Sequence, residues 1–489
     1  MSIWIFFKII GSLALLIYGM KVMSEALQKM AGSQLRHILG AMTTNRFTGL
    51  LTGMFVTTSV QSSTATTVMT VSFVNAGLLT LAQAISVIMG ANIGTTFTAW
   101  IMTLGFNFNM ANIVFPVFFI ALLLIYRKKQ RYVGDFLFGV AFMFFAISTL
   151  GATGKEMDLS HNQTVIDFFS SFDKDSYLTV FSFLIIGTIL TFCMQSSAAL
   201  MAITMVLCSS GVLPIYMGIA LVLGENIGTT ITSNIAAMGA NTQARRAALA
   251  HLSFNVFGVI WVLCCFYPFI DMVCGFVGVD PHADHIDVSR LSVVLAAFHT
   301  TFNVCNTAVL IWLIPQMERL VCYIIKPKAT KNEDDFRLRY IGNTSIMKTP
   351  ELSVLEAQKE IKSFAERIHR MFGMVRELLG VKDETAFTKL FTRIEKYESI
   401  SDNMEIEIAN YLDNVSDAHL SDETKAKIRA MLREISELES IGDSCYNIAR
   451  TMSRKFKGKE DFTDKQYEHL HQMFELTDDS LTQMDIMLT

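Results

Sequence analysis

The chain is long and predominantly apolar, and its charges are unevenly distributed. It has 489 residues, of which 52% are hydrophobic and 17% are charged, and its formal net charge is −4. This composition excludes a single soluble domain, and no nucleic-acid partner is predicted.

Two regions of the chain differ in composition. Residues 1–325 contain recurrent apolar runs of transmembrane length, whereas residues 326–489 are rich in Lys, Arg, Glu and Asp. We therefore predict an all-α, polytopic membrane protein with a domain embedded in the lipid bilayer over 1–325. A linker over 326–350 and a helical domain over 351–489 are predicted to follow.

Seven apolar segments are predicted to cross the membrane: about 3–23, 82–104, 110–126, 133–153, 214–238, 246–275 and 290–315. Two more, about 48–78 and 179–211, are interrupted at a Gln-Ser-Ser and again near Gly77 or Gly211. Each is predicted to be a re-entrant hairpin that enters and leaves on one side. Irregular backbone at membrane depth is tolerated only against protein or a wet cavity.

The interrupted segments form a repeat. Gln61-Ser62-Ser63 returns as Gln195-Ser196-Ser197, and residues 90–96 (GANIGTT) return at the same offset as 224–230 (GENIGTT). The repeats are placed at about 46–126 and 178–275. A repeated, interrupted apolar segment points to a transporter binding site.

Loop charges predict the orientation of the chain. Clusters of Lys and Arg occur in three loops: 24–47, 127–132 and 239–246. The three loops on the opposite side are 105–109, 154–177 and 276–289; together they hold more acidic than basic residues, and 105–109 is uncharged. The positive-inside rule places the basic loops in the cytoplasm. The chain is therefore predicted to be a multi-pass protein of the cytoplasmic (inner) membrane, with its N-terminus outside and its C-terminal domain in the cytoplasm. Three crossings separate the hairpins, so the two repeats are predicted to be inverted.

The repeated residues are small, polar and uncharged. A Gln-Ser-Ser at a helix break offers hydroxyls, an amide and free backbone N–H groups, and a helix N-terminus favours an oxyanion. The second motif, residues 90–96 and 224–230, is predicted to be a broken turn. Oxygen ligands for Na⁺ are expected from this motif and from threonines near the helix breaks: Thr57, Thr58, Thr191, Asn92, Thr95, Thr96, Asn226, Thr229 and Thr230. For any single Thr, helix packing is the preferred interpretation; for Gln61 and Gln195, function is preferred.

Three ionisable residues within the apolar segments are considered separately. Glu225 replaces Ala91 of the first copy, and it is either a Na⁺ ligand or proton site, or a structural partner for a basic residue. His251 and His299 are predicted to be satisfied polar packing groups rather than proton carriers.

The paired motifs resemble the type II sodium–phosphate cotransporter family over about residues 1–325. The resemblance implies a secondary active transporter that imports inorganic phosphate with Na⁺ by alternating access. It implies that Gln61, Ser62, Ser63, Gln195, Ser196 and Ser197 bind phosphate. A membrane phosphate sensor without net transport is the alternative. An enzyme is not predicted, because the Ser pairs have no recurring His or Asp to act as a base.

The C-terminal region predicts four amphipathic helices, about 351–379, 384–414, 422–457 and 464–488. Glu398 and Asp402 are repeated as Glu439 and Asp443 within Glu-Ser-Ile-x-Asp, and such like charges repel unless a cation lies between them. This pattern resembles PhoU-like domains, which implies a divalent or iron-type metal. The helix ends predict an axial offset of roughly 14 Å between Asp402 and Asp443, so the motifs are not expected to share one metal unless a homodimer or a different helix end reconciles them.

Overall fold

A computed structural model describes residues 3–41, 43–75, 78–107, 111–156, 168, 171–173, 176–238, 240–283, 287–326, 338, 350–416, 420, 422–458 and 461–488. All regular structure in these residues is helical, which confirms the all-α fold class. The chain divides into two units, one of residues 1–238 with 242–326 and one of residues 239–241 with 327–489.

The first unit contains thirteen described helices. They are α1 (Ile3–Ala41), α2 (Arg46–Val60), α3 (Ser63–Asn75), α4 (Leu81–Asn107), α5 (Ala111–Ile125), α6 (Arg131–Glu156), α7 (Tyr177–Met194), α8 (Ser197–Ser209), α9 (Ile215–Ala236), α10 (Thr242–Cys264), α11 (Phe266–Val277), α12 (Leu291–Leu310) and α13 (Ile314–Ile324). Short 3-10 turns, Val288–Arg290 and Ile311–Leu313, precede and follow α12.

Seven helical stretches within the described residues are long and apolar enough to cross a membrane. They include the predicted crossings near 3–23, 82–104, 133–153, 214–238 and 290–315. The predicted crossing 246–275 is instead divided at Cys265 into α10 and α11. Helix α5 has 15 residues, about 22 Å of rise, and is shorter than a hydrocarbon core of about 30 Å.

Both segments interrupted by Gln-Ser-Ser leave at the end of the unit where they enter. The carbonyl of Thr43, just before α2, accepts a hydrogen bond from the side chain of Gln83 in the first turn of α4. Tyr177 at the start of α7 and Tyr216 at the start of α9 both pack on Tyr267, with ring centroids 5.6 and 5.2 Å away. Two full crossings would also return to the same end, and Tyr177–Met194 is one of the seven stretches long enough to cross. Re-entry therefore stays a prediction.

The bases of these hairpins lie at opposite ends of α12. Trp312, beyond the C-terminal end of α12, packs on Phe47 at the start of α2, with ring centroids 5.8 Å apart. A methyl group added at Gly211, after α8, would lie 3.6 Å from Val288 at the other end. The chain between residues 288 and 312 rises roughly 36 Å. The arrangement supports the inversion of the repeats, which stays a prediction.

Glycines bring α2 onto α4 and α7 onto α9 in the same way. A side chain at Gly90 would collide with the carbonyl oxygen of Leu50, and one at Gly224 would collide with that of Leu184. These positions are related by the repeat offset, so the two helix pairs have equivalent backbone contacts.

The second unit contains α14 (Pro350–Leu378), α15 (Glu384–Ser416), α16 (Asp422–Gly458) and α17 (Asp464–Met487). Helices α14, α15 and α16 pack against one another, and α17 packs against α14. Apolar residues at helical spacing on α14, such as Ile361, Phe364 and Ile368, are at most 1% exposed. Their burial shows that the amphipathic pattern of this region produces a helical bundle core.

Candidate functional site

The two helix breaks have the same backbone conformation. Gln61, after α2, has φ 54° and ψ 32°, and Gln195, after α7, has φ 51° and ψ 27°. Among the described residues these are the non-glycine positions with positive φ. The left-handed conformation costs a residue with a Cβ about 1–2 kcal/mol. Both breaks therefore retain a strained residue of one type at equivalent positions.

A serine caps the helix after each break. The Ser62 hydroxyl accepts the backbone N–H of Ala65 at 3.1 Å, and the Ser196 hydroxyl accepts that of Ala199 at 3.2 Å. Each cap satisfies one N–H group of a helix N-terminus, where several point along the axis without intrahelical partners. The N-termini of α3 and α8, which begin at Ser63 and Ser197, thus have the polarity that binds an anion.

The two glutamines differ in their side-chain contacts. Gln61 is half-buried; its amide donates to the Thr58 carbonyl at 2.5 Å, and its Oε1 accepts the Thr98 hydroxyl at 3.0 Å. Gln195 is exposed, and Thr232, the equivalent of Thr98, donates to the Thr229 carbonyl of its own helix at 2.8 Å. The repeated backbone thus holds two side chains in different states.

A repeated pair of threonines lies one turn before the breaks. Thr57 and Thr191 are each 1% exposed, and their hydroxyl oxygens have no hydrogen-bond partner among the described residues. Gly94 and Gly228 face them, because a methyl group at these glycines would lie 2.8 and 2.7 Å from the threonine Cβ atoms. An unsatisfied buried hydroxyl costs about 1–3 kcal/mol, and its recurrence in both copies makes Thr57 and Thr191 candidate ligand contacts.

The prediction of a broken turn in the second motif is wrong. Residues 90–96 lie within the continuous helix α4, and residues 224–230 lie within α9. The motif glycines serve close helix packing, since an added side chain at Gly90 or Gly224 would collide with the neighbouring backbone. Glycine inside a helix permits such contact without bending the chain.

Four threonines of this motif bond back to their own helices. Thr95 and Thr229 donate to the carbonyls of Ala91 and Glu225, each at 2.9 Å. Thr96 and Thr230 donate to Ile93 and Ile227, each at 2.7 Å. This agrees with the packing interpretation preferred for single threonines, although each hydroxyl oxygen retains lone pairs.

The two motif asparagines reach outside the repeats. Asn92 accepts from the Asn255 amide at 3.4 Å, and Asn226 lies 3.3 Å from His299 Nε2. The sequence analysis missed these partners, although a signal is present: residues 251–256 (HLSFNV) and 299–304 (HTTFNV) form a further repeat. Nδ1 of His251 and of His299 is buried with no partner among the described residues, so the prediction that these groups are fully satisfied is wrong. Their assignment as packing groups rather than proton carriers stays a prediction.

Glu225 lies next to Asn226 in the core of α9. It is 2% exposed, and its Oε2 has no hydrogen-bond partner. A carboxylate removed from water requires a cation, a proton or a hydrogen-bond donor. Its open oxygen favours a ligand role over that of a structural partner for a basic residue.

A sequence model described as Na⁺/Pi-cotransporter matches residues 15–152 and 167–273, which include both Gln-Ser-Ser breaks. The chain belongs to the Na⁺/Pi-cotransporter family. Membership confirms the resemblance drawn from the paired motifs and makes this a membrane protein of a phosphate-transporting family.

Three relatives of this family member cover different parts of the chain. The chain is 24% identical to YjbB of Salmonella typhimurium, whose name describes a candidate inorganic phosphate export protein, over 92% of this chain and 84% of the relative. It is 30% identical to YqeW of Bacillus subtilis, an uncharacterized protein, over 63% of this chain and 95% of the relative. It is 40% identical to the sodium-dependent phosphate transport protein 2A of Rattus norvegicus, over 19% of this chain and 15% of the relative. No solved structure matches the chain.

The tail of this cotransporter-family chain carries a carboxylate cluster. Oxygens of Glu398, Asp402 and Asp443 lie within 4.8 Å of one another. The predicted axial separation of Asp402 from Asp443 is therefore wrong. It assumed that the end of α15 and the start of α16 lie at the same height, but five linking residues can span up to about 17 Å and so permit a large stagger.

The clustered carboxyls affect one another. Burial and then the charges of Asp402 and Asp443 raise the pKa of Glu398, and burial and then Asp443 raise that of Asp402. Burial followed by Asp443 and Glu405 also raises the pKa of Glu439, the fourth predicted ligand. Both copies of the Glu-Ser-Ile-x-Asp pattern thus contribute to one region of negative potential.

Proposed function

We propose that this chain is a secondary active transporter that couples Na⁺ movement to movement of inorganic phosphate by alternating access. The observation that carries the proposal is the matched pair of strained Gln-Ser-Ser breaks, at Gln61 and Gln195, each followed by a capped helix N-terminus. The family match supports phosphate as the substrate.

Phosphate is assigned to the space between the two breaks. The N-terminal N–H groups of α3 and α8 supply positive polarity, while the hydroxyls and amides of Gln61, Ser62, Ser63, Gln195, Ser196 and Ser197 supply hydrogen bonds. Such donors stabilise a divalent oxyanion without a fixed positive charge. Binding would thus remain reversible, as a transport cycle requires.

Sodium is assigned to oxygen atoms behind the breaks. The hydroxyls of Thr57 and Thr191 are buried without partners, as is one oxygen of Glu225. A hard monovalent cation accepts hydroxyl, amide and carboxylate oxygens. Its charge would also offset that of phosphate, because opposite charges attract strongly in a medium of low dielectric constant.

Alternating access follows from the opposed hairpin bases. A hairpin based at each end of α12 lets the two tips meet near mid-membrane while each faces a different side. We further propose that the chain lies in the inner membrane with its N-terminus outside and its C-terminal unit in the cytoplasm, as the loop charges predict.

Phosphate flux in proteoliposomes tests the proposal. We expect phosphate movement to depend on a Na⁺ gradient, to fail with choline, and to fall at least tenfold in Gln61→Ala and in Gln195→Ala. Unchanged flux in both variants would contradict the site. Sulfate serves as the control anion.

The direction of transport requires cells, in which the orientation of the protein is fixed. An inward Na⁺ gradient drives import in a symporter, and import is our proposal. The name of YjbB favours the opposite direction, export. The two directions are distinguished in cells that lack other phosphate transporters. Phosphate uptake into these cells would indicate import, and phosphate efflux from preloaded cells would indicate export.

A phosphate sensor is a second candidate function, favoured by the tail. We propose a PhoU-like role for this unit, in which Glu398, Asp402, Glu439 and Asp443 hold a divalent or iron-type metal. Carboxylate oxygens suit a hard cation, and three of them already lie within 4.8 Å. Na⁺-dependent phosphate binding without flux would identify a sensor.

The tail metal is tested by titrating Mn²⁺, Ca²⁺ or Fe³⁺ into purified full-length protein and following thermal unfolding. We expect stabilisation that disappears in Asp402→Asn combined with Asp443→Asn. Equal stabilisation of wild type and variant would exclude this cluster. We also propose that the protein can form a homodimer, and light scattering in the same samples tests it.

A further inference from the structure

Two helices outside the Gln-Ser-Ser hairpins carry a repeated motif of their own. His251, Phe254 and Asn255 on α10 recur as His299, Phe302 and Asn303 on α12. All six side chains are at most 2% exposed. Helix α12 lies beyond the residues that the family model matches, so the second copy is not part of that match.

Each motif contacts one asparagine of the repeated Gly-x-Asn-Ile-Gly-Thr sequence, and the second motif also accepts a hydrogen bond from Trp100 of the first copy at Thr300. Asn255 donates to Asn92 of the first copy at 3.4 Å, and His299 lies 3.3 Å from Asn226 of the second. Helix α10 also packs on α3, and α12 packs on α8, the helices that follow the two breaks. The motifs therefore lie beside the two halves of the proposed site, the first through its asparagine and the second through its histidine.

Hydrogen bonds fix the direction of the two asparagine amides. Asn255 donates its Nδ2 to the His251 carbonyl at 3.1 Å, and Asn303 donates its Nδ2 to the His299 carbonyl at 2.9 Å. With the NH₂ groups held against their own helices, the Oδ1 atoms point away from the helix backbone. Both Oδ1 atoms are buried and have no hydrogen-bond partner in the described part of the chain.

A neighbouring asparagine shows that the fold can satisfy such a group. Asn306 is fully buried on the same face of α12; it donates to the Phe254 carbonyl at 2.9 Å and accepts from Trp261 Nε1 at 3.3 Å. In contrast, the amide oxygens of Asn255 and Asn303 are unsatisfied at two repeated positions. Such an oxygen requires a ligand that accepts its electron pair, which is a cation or a hydrogen-bond donor.

We propose that Asn255 and Asn303 supply amide-oxygen ligands to the co-transported Na⁺. Asn255 contacts Asn92 of the first copy, and Asn303 follows, by one helical turn, His299, which contacts Asn226 of the second. The assignment rests on the proposed function of Na⁺-coupled phosphate transport. It adds α10 and α12 to the binding machinery, so that the site is built from the two hairpins and from two further crossings. A neutral amide oxygen is a suitable ligand for a hard cation, because it adds no charge to repel phosphate.

The test compares the Na⁺ dependence of phosphate uptake in variants that lose the whole amide with that in variants that lose only its nitrogen. Asn255→Ala and Asn303→Ala lose both atoms, and we expect each to raise the Na⁺ concentration for half-maximal phosphate uptake about tenfold or more. Asn255→Asp and Asn303→Asp keep an oxygen but lose the donor to the histidine carbonyl. We expect the Asp variants to retain Na⁺ dependence.

A second readout is independent of transport. In the absence of phosphate, the purified wild type should unfold at a higher temperature in Na⁺ than in choline at the same ionic strength. The Ala variants should lose this difference. Asn306→Ala is the matched control: it should lower the unfolding temperature and leave the Na⁺ dependence unchanged.

The outcomes separate this inference from the proposed function. Absence of any Na⁺ effect on wild-type uptake and stability would overturn the proposed function itself. A Na⁺-dependent wild type whose half-saturation is unchanged in either Ala variant would overturn only the paired ligand assignment. Asp variants as defective as the Ala variants would assign the amides a structural role and also overturn it.

Discussion

Thr98 donates its hydroxyl to Oε1 of Gln61 at 3.0 Å, and so connects α4 to the tip of the first hairpin. The equivalent Thr232 donates to Thr229 in its own helix, and Gln195 is exposed. One half of the repeated site is therefore fastened to its supporting helix while the other is not. In an alternating-access cycle, such a contact is expected to form in one state and break in the other.

Replacing Thr98 by Val should release the Gln61 amide while preserving side-chain volume. Because a neutral hydrogen bond contributes about 0.5–1.5 kcal/mol, we expect the phosphate concentration for half-maximal uptake to rise by about two- to tenfold. Thr232→Val is the matched control and should have a smaller effect. Equal effects of the two variants would show that the contact with Gln61 has no specific role.

Glycine-mediated packing of the repeated helices should be sensitive to a single methyl group. Gly90→Ala and Gly224→Ala would place Cβ against the backbone of Leu50 or Leu184, and overpacking costs about 1–3 kcal/mol. We expect lower unfolding temperatures in detergent. Gly11→Ala, where a Cβ would have nothing within 4 Å, should be neutral; comparable destabilisation there would contradict the packing argument.

Glu225→Gln keeps the shape of the side chain but removes its ability to ionise. If the carboxylate binds Na⁺, the variant should need about tenfold more Na⁺ for half-maximal uptake, whereas Glu225→Asp should be less affected. The measurement is uptake at several fixed Na⁺ concentrations. Wild-type behaviour of the Gln variant would show that the carboxyl is protonated or uninvolved.

His369 should make the docking of α17 pH-dependent. Burial acts to lower the pKa of His369, but its hydrogen bonds to Asp485 at 2.6 Å and Asp478 at 3.2 Å outweigh burial and raise it above 6.5. A raised pKa in the folded state stabilises the fold below the unfolded pKa of about 6.5. That contribution is lost as pH rises through the raised value.

Hydrogen–deuterium exchange of residues 464–487, corrected for the intrinsic rate at each pH, measures this effect. We expect protection of α17 to fall as pH rises in the wild type and to be lower and flatter in His369→Gln. A hydrogen bond to a charged group contributes about 1.5–3 kcal/mol, which sets the upper scale of the change. Identical pH profiles would eliminate His369 as the cause.

The tail carboxylates should destabilise the metal-free bundle at neutral pH. Since the pKa values of Glu398, Asp402 and Glu439 are raised, the folded tail binds more protons than the unfolded chain. It gains stability as pH falls and loses it as pH rises through the raised values. Asp402→Asn should therefore raise the unfolding temperature of the tail at pH 7.

The expected increase is roughly 1 to 3 °C, because like-charge neighbours cost a few tenths of a kcal/mol each. Scanning calorimetry without metal measures it. Glu407→Gln, an exposed carboxylate on the same helix, is the control and should produce no comparable change. A lower unfolding temperature for Asp402→Asn would indicate that Asp402 has a favourable partner.

Local chemistry was sufficient to predict the helix breaks. Gln61 and Gln195 stand between apolar helix-forming runs and are followed by serines, which cap helices, so the interruption is readable along the chain. The four tail helices are likewise predicted to within a few residues, because their apolar spacing and turn residues are local signals. The repeat offset also predicts that both copies share one backbone geometry.

Other features depend on contacts between segments far apart in the sequence. Glycines at 90 and 224 are consistent with a bend or with close packing, and only the position of α2 and α7 decides for packing. The stagger of α15 and α16 brings Asp402 to Asp443, which helix lengths alone could not show. Side-chain partners such as Asn92 with Asn255 likewise appear only when helices assemble.

By itself, the sequence determined that the chain spans a membrane, that one element is used twice, and that both copies break at Gln-Ser-Ser. These properties come from hydrophobicity, repetition and local backbone preference, all of which act over a few residues. Tertiary structure decided which polar atoms are satisfied and which are left open at Thr57, Thr191, Asn255 and Asn303. Hydrogen bonding in a buried site depends on neighbours from other helices, and packing alone determines those neighbours.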